Sequence, residues 1–430
     1  MKKSFSVSFM LVLAAAMFVA AQTTETKTKR PSRVVVTESI PPVKVITAPT
    51  PSVKTPVVQN EDEEADEADP NGPNAAKAPQ QQPVRFVPTN VRSLSFGEIK
   101  SKIAEAKRDM MSRPMQTASV DPAAALSYVR IAYYDWTNHR VDYVVMSKDA
   151  FLAKNGVTQT LSNSGKSLTV TTIRANGVNT PITLVDNLGQ AHLPLLVQYP
   201  VEKGGRYIET AYYMSTHPGL VTPEVVNAGR LYVRNVIEVA RQKLREKGIG
   251  IEPKVADMAE RLATVEHVDH QRFRTEPPQN IFNDIFTLYA LNEGQTYRYS
   301  VSSAGAGGMV QMIPSTYQMM RRRYPNVNLQ PDFVEGMRNH VNATQAMLLY
   351  MQMTWNDLTS SPTINDALAT GVATPPELMA AGYNSNPAKL AGYINRGGTN
   401  WTNLIPRETQ IYLQIYSAVE RFVPMAPRTR

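Results

Sequence analysis

Glu293-Gly294-Gln295-Thr296-Tyr297-Arg298-Tyr299-Ser300-Val301-Ser302-Ser303-Ala304-Gly305-Ala306-Gly307-Gly308-Met309-Val310-Gln311-Met312-Ile313-Pro314-Ser315-Thr316 is the stretch on which the reading of this chain turns. Immediately before it, Pro277-Pro278 open a segment with Ile281, Ile285 and Leu288 on one face. That spacing predicts a helix over 278–292 that ends at Glu293, with Gly294 as its C-terminal breaker. A carboxyl group there sits at the negative end of the helix dipole, where the field acts against a negative charge. The position suits a group that must hold a proton until it meets the atom it protonates. The glycines from Gly305 to Gly308 let backbone approach a ligand closely. Gln311 can both donate and accept hydrogen bonds.

Helical signals continue on both sides. Thr222-Pro223-Glu224 gives an N-cap, a first-turn proline and a first-turn acid. Val225, Val226, Leu231, Val233, Val236 and Ile237 supply the apolar positions of a long helix closed by Gly248 and Gly250. Further helices are expected near 254–268, 314–323, 338–357, 374–382 and 407–421. Nearer the N-terminus, Ser95 and Glu98 have capping-box spacing, with Phe96, Ile99, Ile103 and Ala106 on one face and Pro114 as the stop.

Between these helical parts the pattern is that of strands. Tyr128–Tyr134, Val141–Val145, Leu168–Ile173 and Leu195–Tyr199 are rich in aromatic and β-branched residues. Turn signals stand at Asn163-Ser164-Gly165, Asn176-Gly177 and Gly204-Gly205. A small, mainly antiparallel β-rich domain is expected over 93–216, with the helix at its start.

The first hundred residues read differently. Lys2 and Lys3 precede an apolar run from Val7 to Ala20, and Val19 and Ala21 suit a cleavage site, so 1–21 reads as a signal peptide of an exported protein. Residues 22–92, rich in Thr and Pro and then acidic from Glu61 to Asp69, are too poor in large apolar side chains to build a core and read as a disordered linker. The chain of 430 residues contains no cysteine, which excludes disulfides, thiol catalysis, cysteine-ligated zinc and a lipid-modified cysteine. Its formal charge is +8, with Lys2 and Lys3 contributing two of those charges, and a basic exported protein suits an anionic envelope. No phosphate loop, nucleotide fingerprint or nucleic-acid motif is present. His267 and His270 stand three apart without the companion residues of a zinc signature and read as two exposed polar residues, and Arg321-Arg322-Arg323 reads as a solvated helix end.

The central stretch resembles the soluble lytic transglycosylase family, whose catalytic domain has a goose-lysozyme-like fold. The resemblance rests on a Glu, a Ser nine residues on, Gly-Ala at twelve and thirteen, Gly at fifteen and Gln at eighteen, here Glu293, Ser302, Gly305-Ala306, Gly308 and Gln311, followed by Pro314 and Thr316. Two further segments follow in order, Ala380-Ala381-Gly382-Tyr383-Asn384 and Pro406-Arg407-Glu408-Thr409-Gln410-Ile411-Tyr412. The chain departs from the family at Gly294 (usually Ser), Thr296 (usually aromatic), Val310 (usually Met) and Asn386 (usually Gly).

The resemblance covers about 222–430 and implies a multidomain α+β protein. A mainly α lysozyme-like domain over 217–430 would follow the β-rich domain and the disordered linker. It implies cleavage of the β-1,4 bond between N-acetylmuramic acid and N-acetylglucosamine in peptidoglycan, giving 1,6-anhydro ends without a cofactor or metal. Glu293 would be the single acid and base. Ser302, Gly305 and Gln311 would contact the glycan, Tyr383 would hydrogen-bond Glu293 with Asn384 beside it, and Glu408 would line the cleft. The partner would be the glycan strand, in the periplasm or cell envelope, with the β-rich domain open to an envelope protein. A hydrolytic muramidase of the same fold and a peptidoglycan-binding protein without activity are the alternatives.

Overall fold

The structure, a computed structural model, describes residues 92–113, 115 and 126–429. The expected leader, the linker up to residue 91 and Pro114 lie outside the described residues. A β-rich region is followed by a mainly α region, a multidomain α+β architecture.

Helix α1 (Phe96–Ser112) begins with the reciprocal capping box of Ser95 and Glu98. Seven strands follow: β1 (Tyr128–Asp135), β2 (Arg140–Ser147), β3 (Val157–Leu161), β4 (Ser167–Thr172), β5 (Ile182–Asp186), β6 (Ala191–Lys203) and β7 (Arg206–Tyr213), with the one-turn helix α2 (Lys148–Phe151) after β2. Neighbours in the sheet run β2-β1-β6-β5-β4-β3, all antiparallel, and β7 pairs with β6. A bridge between Val144 and Ser162, with the Asn163 amide on the Tyr143 carbonyl at 2.8 Å, brings the two ends of this order together. The sheet therefore curls so that the ends of this path meet, with β7 outside it.

Strand β1 has no exposed side, because the two faces of the sheet are both covered. Val129, Ile131 and Tyr133 point into a core with Val144, Leu168, Val170 and Leu184. Ala132 and Tyr134 point the other way, against Ile99, Ala106 and Met110 of α1. That double burial explains why this strand reads as a nearly unbroken apolar run. The prolines of β6 sit where a missing N–H is tolerated. Pro194 lies at the register shift opposite Tyr133, and Pro200 lies beyond the last residue that β1 pairs.

The helical region comprises α3 (Pro223–Glu246), α4 (Pro253–Val265), α5 (His270–Thr275), α6 (Pro278–Asn292), α7 (Pro314–Arg323), α8 (Phe333–Arg338), α9 (His340–Thr359), α10 (Pro362–Ala369), α11 (Pro375–Asn384), α12 (Leu390–Gly397) and α13 (Arg407–Phe422). Thr222 caps α3 and Pro223 is its first residue, as its sequence predicts. The buried face of α3 runs through Val225, Gly229, Val233, Val236, Ile237, Ala240 and Leu244. Leu231, expected among the apolar positions, is instead 51% exposed, since it falls on the opposite side of the turn. Helices α3 and α6 cross so closely that a Cβ on Gly229 would lie 1.8 Å from the Phe286 carbonyl oxygen. Helix α6 is buried nearly all round, including Phe282, Phe286 and Tyr289 as well as the expected face, and α9 is similarly enclosed. No helix among the described residues is long and apolar enough to cross a membrane.

Candidate active site

Two carboxylates stand at helix ends near the residues of interest, and their surroundings differ. Glu293 follows α6, but it is Glu293 and not Gly294 that takes the positive backbone angle, with φ 44° and ψ −123°. A residue with a side chain rarely adopts that conformation, which costs roughly 1–3 kcal/mol. Its side chain is 55% exposed, and its Oε1 accepts a 2.7 Å hydrogen bond from the Lys100 Nζ of α1.

The other carboxylate is Glu266, the residue that closes α4, whose backbone N–H donates to the Leu262 carbonyl at 3.0 Å. The hydroxyl of Tyr412, on α13, is hydrogen-bonded to Glu266 Oε1. Burial pushes the Tyr412 and Tyr383 hydroxyls well above the ordinary tyrosine range, and in both the charge of Glu266 adds to the effect. Tyr412 and Tyr383 therefore remain neutral donors in any physiological pH.

Two residues near this carboxylate, Tyr383 and His267, hold successive carbonyls of the glycine-rich loop. The Tyr383 hydroxyl donates to the Val310 carbonyl at 2.7 Å, and His267 Nε2 lies 3.0 Å from the Met309 carbonyl. Behind the loop, a Cβ on Gly308 would lie 2.4 Å from the Met337 carbonyl oxygen, so only glycine fits between this turn and α8. Short bridges, Val301 to Gly307 and Gly307 to Met312, fold the loop on itself.

The residues expected to contact the glycan fall out as follows. Ser302 Oγ accepts from the Ala306 amide at 3.0 Å, and Gly305 takes φ 76° in the same tight turn. Gln311 takes a left-handed φ of 43°, and its Nε2 donates to Ser300 Oγ at 3.1 Å and to the Gly308 carbonyl at 2.8 Å. Asn384 Oδ1 accepts from Thr409 Oγ1 at 2.8 Å, which ties α11 to the start of α13. Glu408 is exposed in the first turn of α13. The expected contact between Tyr383 and Glu293 is not formed. The single Tyr383 proton goes to Val310, and the carboxylate whose charge acts on Tyr383 is that of Glu266. The physical reason is that α4, which Glu266 closes, packs against both α11 and α13.

Glu266 is not among the site residues expected from the sequence. The signal that could have found it is a glutamate directly after the apolar run of α4, followed by a histidine, the helix-end arrangement also seen at Glu293. His267 is not the solvated residue its sequence suggested. Burial holds its imidazole down to about 3, and its ring lies parallel on Tyr297 with centroids 3.3 Å apart.

Beside Glu293 lies a separate polar cavity of about 450 Å³, lined by Tyr232, Gly294, Arg298, Glu335, Arg338 and His340 among others. The Tyr232 hydroxyl meets His340 Nδ1 at 2.8 Å, and His340 Nε2 meets the Thr296 carbonyl at 2.8 Å. A carbonyl can only accept, so His340 carries its proton on Nε2 and accepts from Tyr232 at Nδ1. Burial holds this imidazole down to about 4, while burial and the charge of Glu293 push Tyr232 up to about 12. No protein-family model, curated protein or solved structure matches this chain.

Proposed function

We propose that this chain is a peptidoglycan lytic transglycosylase in which Glu266, rather than Glu293, is the acid and base. The observation that carries the reading is the hydrogen bond from Tyr412 to Glu266. It joins the Pro406–Tyr412 segment to a helix-end carboxylate whose charge acts on Tyr383 and whose neighbour in the chain, His267, lies 3.0 Å from the Met309 carbonyl of the glycine-rich loop. Those are the three segments on which the family resemblance rests. Tyr412 bonds Glu266 and Tyr383 feels its charge, whereas Glu293 is half-exposed and paired with Lys100.

In this mechanism Glu266 protonates the glycosidic oxygen between N-acetylmuramic acid and N-acetylglucosamine, and the C1–O bond breaks. The resulting carboxylate removes the proton from the C6 hydroxyl of the same muramyl ring, and that oxygen closes on C1. The products are a 1,6-anhydromuramyl end and a free N-acetylglucosamine end, and Glu266 regains its proton. One carboxyl group is sufficient because the nucleophile is intramolecular and already positioned. Tyr412 orients the carboxyl, and Gln311 and Ser302 lie on the loop that would meet the sugar amides. A basic chain favours approach to an anionic wall.

The test is digestion of purified peptidoglycan with the full chain, Glu266→Gln and Glu293→Gln, followed by mass spectrometry. Muropeptides lighter by one water than hydrolytic products, abolished by Glu266→Gln and retained in Glu293→Gln, support the reading. Loss with Glu293→Gln alone returns the role to Glu293. Reducing muramyl ends identify a muramidase, which would need a second carboxylate to activate water. Wall binding by all three proteins without any product identifies a binding protein.

A further inference from the structure

Directly behind Glu266 stands a histidine whose proton is assigned by its partner. His267 Nε2 lies 3.0 Å from the Met309 carbonyl, so Nε2 carries the hydrogen and Nδ1 is the bare nitrogen. That Nδ1 is buried and has no hydrogen-bond partner among the described residues. Such an arrangement costs free energy, which other contacts that hold the ring must offset.

What holds it is Tyr297. The two rings are stacked and parallel to within 3°, and Tyr297 reaches this position through a positive φ of 57°. Tyr289 closes the other side, edge-on to both rings, and its hydroxyl donates to the Ala263 carbonyl in the last turn of α4 at 3.0 Å. The histidine is thus clamped between the end of α4 and the turn that follows α6. Met309, its acceptor, is wholly buried, and its sulfur accepts from Thr344 Oγ1 at 3.7 Å. The next carbonyl, Val310, is held by Tyr383, and the next residue is Gln311.

We infer that His267 is a positioning residue, which through its Nε2–H fixes the Met309 peptide and so sets the placement of Gln311 relative to Glu266. The inference rests on the reading of Glu266 given above, and its own evidence is the bond to Met309. Two successive carbonyls, each held by a group adjoining Glu266, fix the orientation of the peptide planes before Gln311. A ligand-contacting amide displaced by even 1 Å from its productive place can lower a rate by as much as about a hundredfold.

The experiment compares wild type, His267→Ala, His267→Gln and His267→Asn. Muropeptide release is measured over a range of peptidoglycan concentrations, and amide hydrogen exchange is followed over residues 308–311. The Gln side chain can bring an N–H to the place of Nε2, whereas Asn is too short. The expected result is that His267→Ala lowers kcat about tenfold or more with KM little changed and speeds exchange in the loop. His267→Gln recovers most of both, and His267→Asn does not. A wild-type kcat and unchanged loop exchange in His267→Ala overturn the inference. If His267→Ala does not fold, equal kcat values for the Gln and Asn variants overturn it. If the wild-type chain releases no product, the reading of Glu266 as catalyst fails and the exchange comparison alone decides. Faster loop exchange in His267→Asn than in His267→Gln upholds the positioning role, and equal exchange removes it.

Discussion

The carboxylate of Glu266 is hydrogen-bonded by the hydroxyl of Tyr412, a residue 146 positions further along the chain. One partner closes α4 and the other lies in the second turn of α13, and the two helices pack side by side. The contact joins a carboxyl group to a neutral, buried donor, the pairing needed to aim an acid at one atom.

Replacing Glu266 by Gln is expected to lower the rate of glycan cleavage by about 10²–10⁴, the usual contribution of a positioned acid and base. The variant should keep its wild-type unfolding midpoint to within a few degrees, checked by thermal melting, so that the loss is one of chemistry.

Glu293 should behave in the opposite way. Its bond to Lys100 joins two half-exposed side chains and contributes no more than about 1 kcal/mol. Its backbone angle is one that glycine adopts freely. Glu293→Gly is therefore expected to raise stability by roughly 1 kcal/mol and to leave cleavage within about threefold of wild type. Urea unfolding and product release check the two parts separately.

Tyr412→Phe removes the donor and leaves the ring. The bond lost joins a buried hydroxyl to a half-buried carboxylate, and a hydrogen bond to a charged group contributes about 1.5–3 kcal/mol, so the urea midpoint should fall accordingly. The rate should fall as well, with KM little affected, since the hydroxyl aims Glu266 and is not expected to touch the glycan.

Gly229→Ala would place a methyl group 1.8 Å from the Phe286 carbonyl oxygen, at the crossing of α3 and α6. The helices must separate, at a cost of about 3 kcal/mol or more. Gly250→Ala is the control, because a Cβ there meets nothing within 4 Å, and its effect should stay within about 0.5 kcal/mol. Equal unfolding midpoints for the two variants would remove the argument.

Stability should also depend on pH through His340. In the fold, burial holds this imidazole neutral down to about 4. The unfolded chain takes up the proton near 6.5. Between these values the unfolded state binds more protons, so stability rises with pH. The contribution is fully present above about 6.5 and is lost as pH falls towards 4, with a slope of up to about 1.4 kcal/mol per pH unit. Unfolding of wild type and His340→Gln at several pH values between these limits should show the slope in wild type and a shallower one in the variant.

Much of the local structure is legible in the residues themselves. Ser95 with Glu98 and Thr222 with Pro223 mark the starts of α1 and α3, and proline begins α6, α7 and α11 at or within one residue of the expected place. Caps and fixed φ angles act within one turn, so they can be read from a few neighbours. The strands β3, β5 and β7 are less visible. Strand β3 has no buried side chain, with Val157 and Leu161 exposed, and the first three residues of β7 are exposed as well, so neither carries the apolar face of a half-buried strand.

The sequence by itself determined where most of the long helices begin, where four of the strands lie and which three stretches hold the polar residues of a candidate site. Only the tertiary structure decided which carboxylate those stretches surround. Spacing along the chain measures contour and not distance, so a glutamate nine residues before Ser302 can point to Lys100 while Glu266 lies under Tyr412. The choice is made by the packing of α4 against α11 and α13, a sum of apolar contacts between segments far apart in the chain that no local signal encodes.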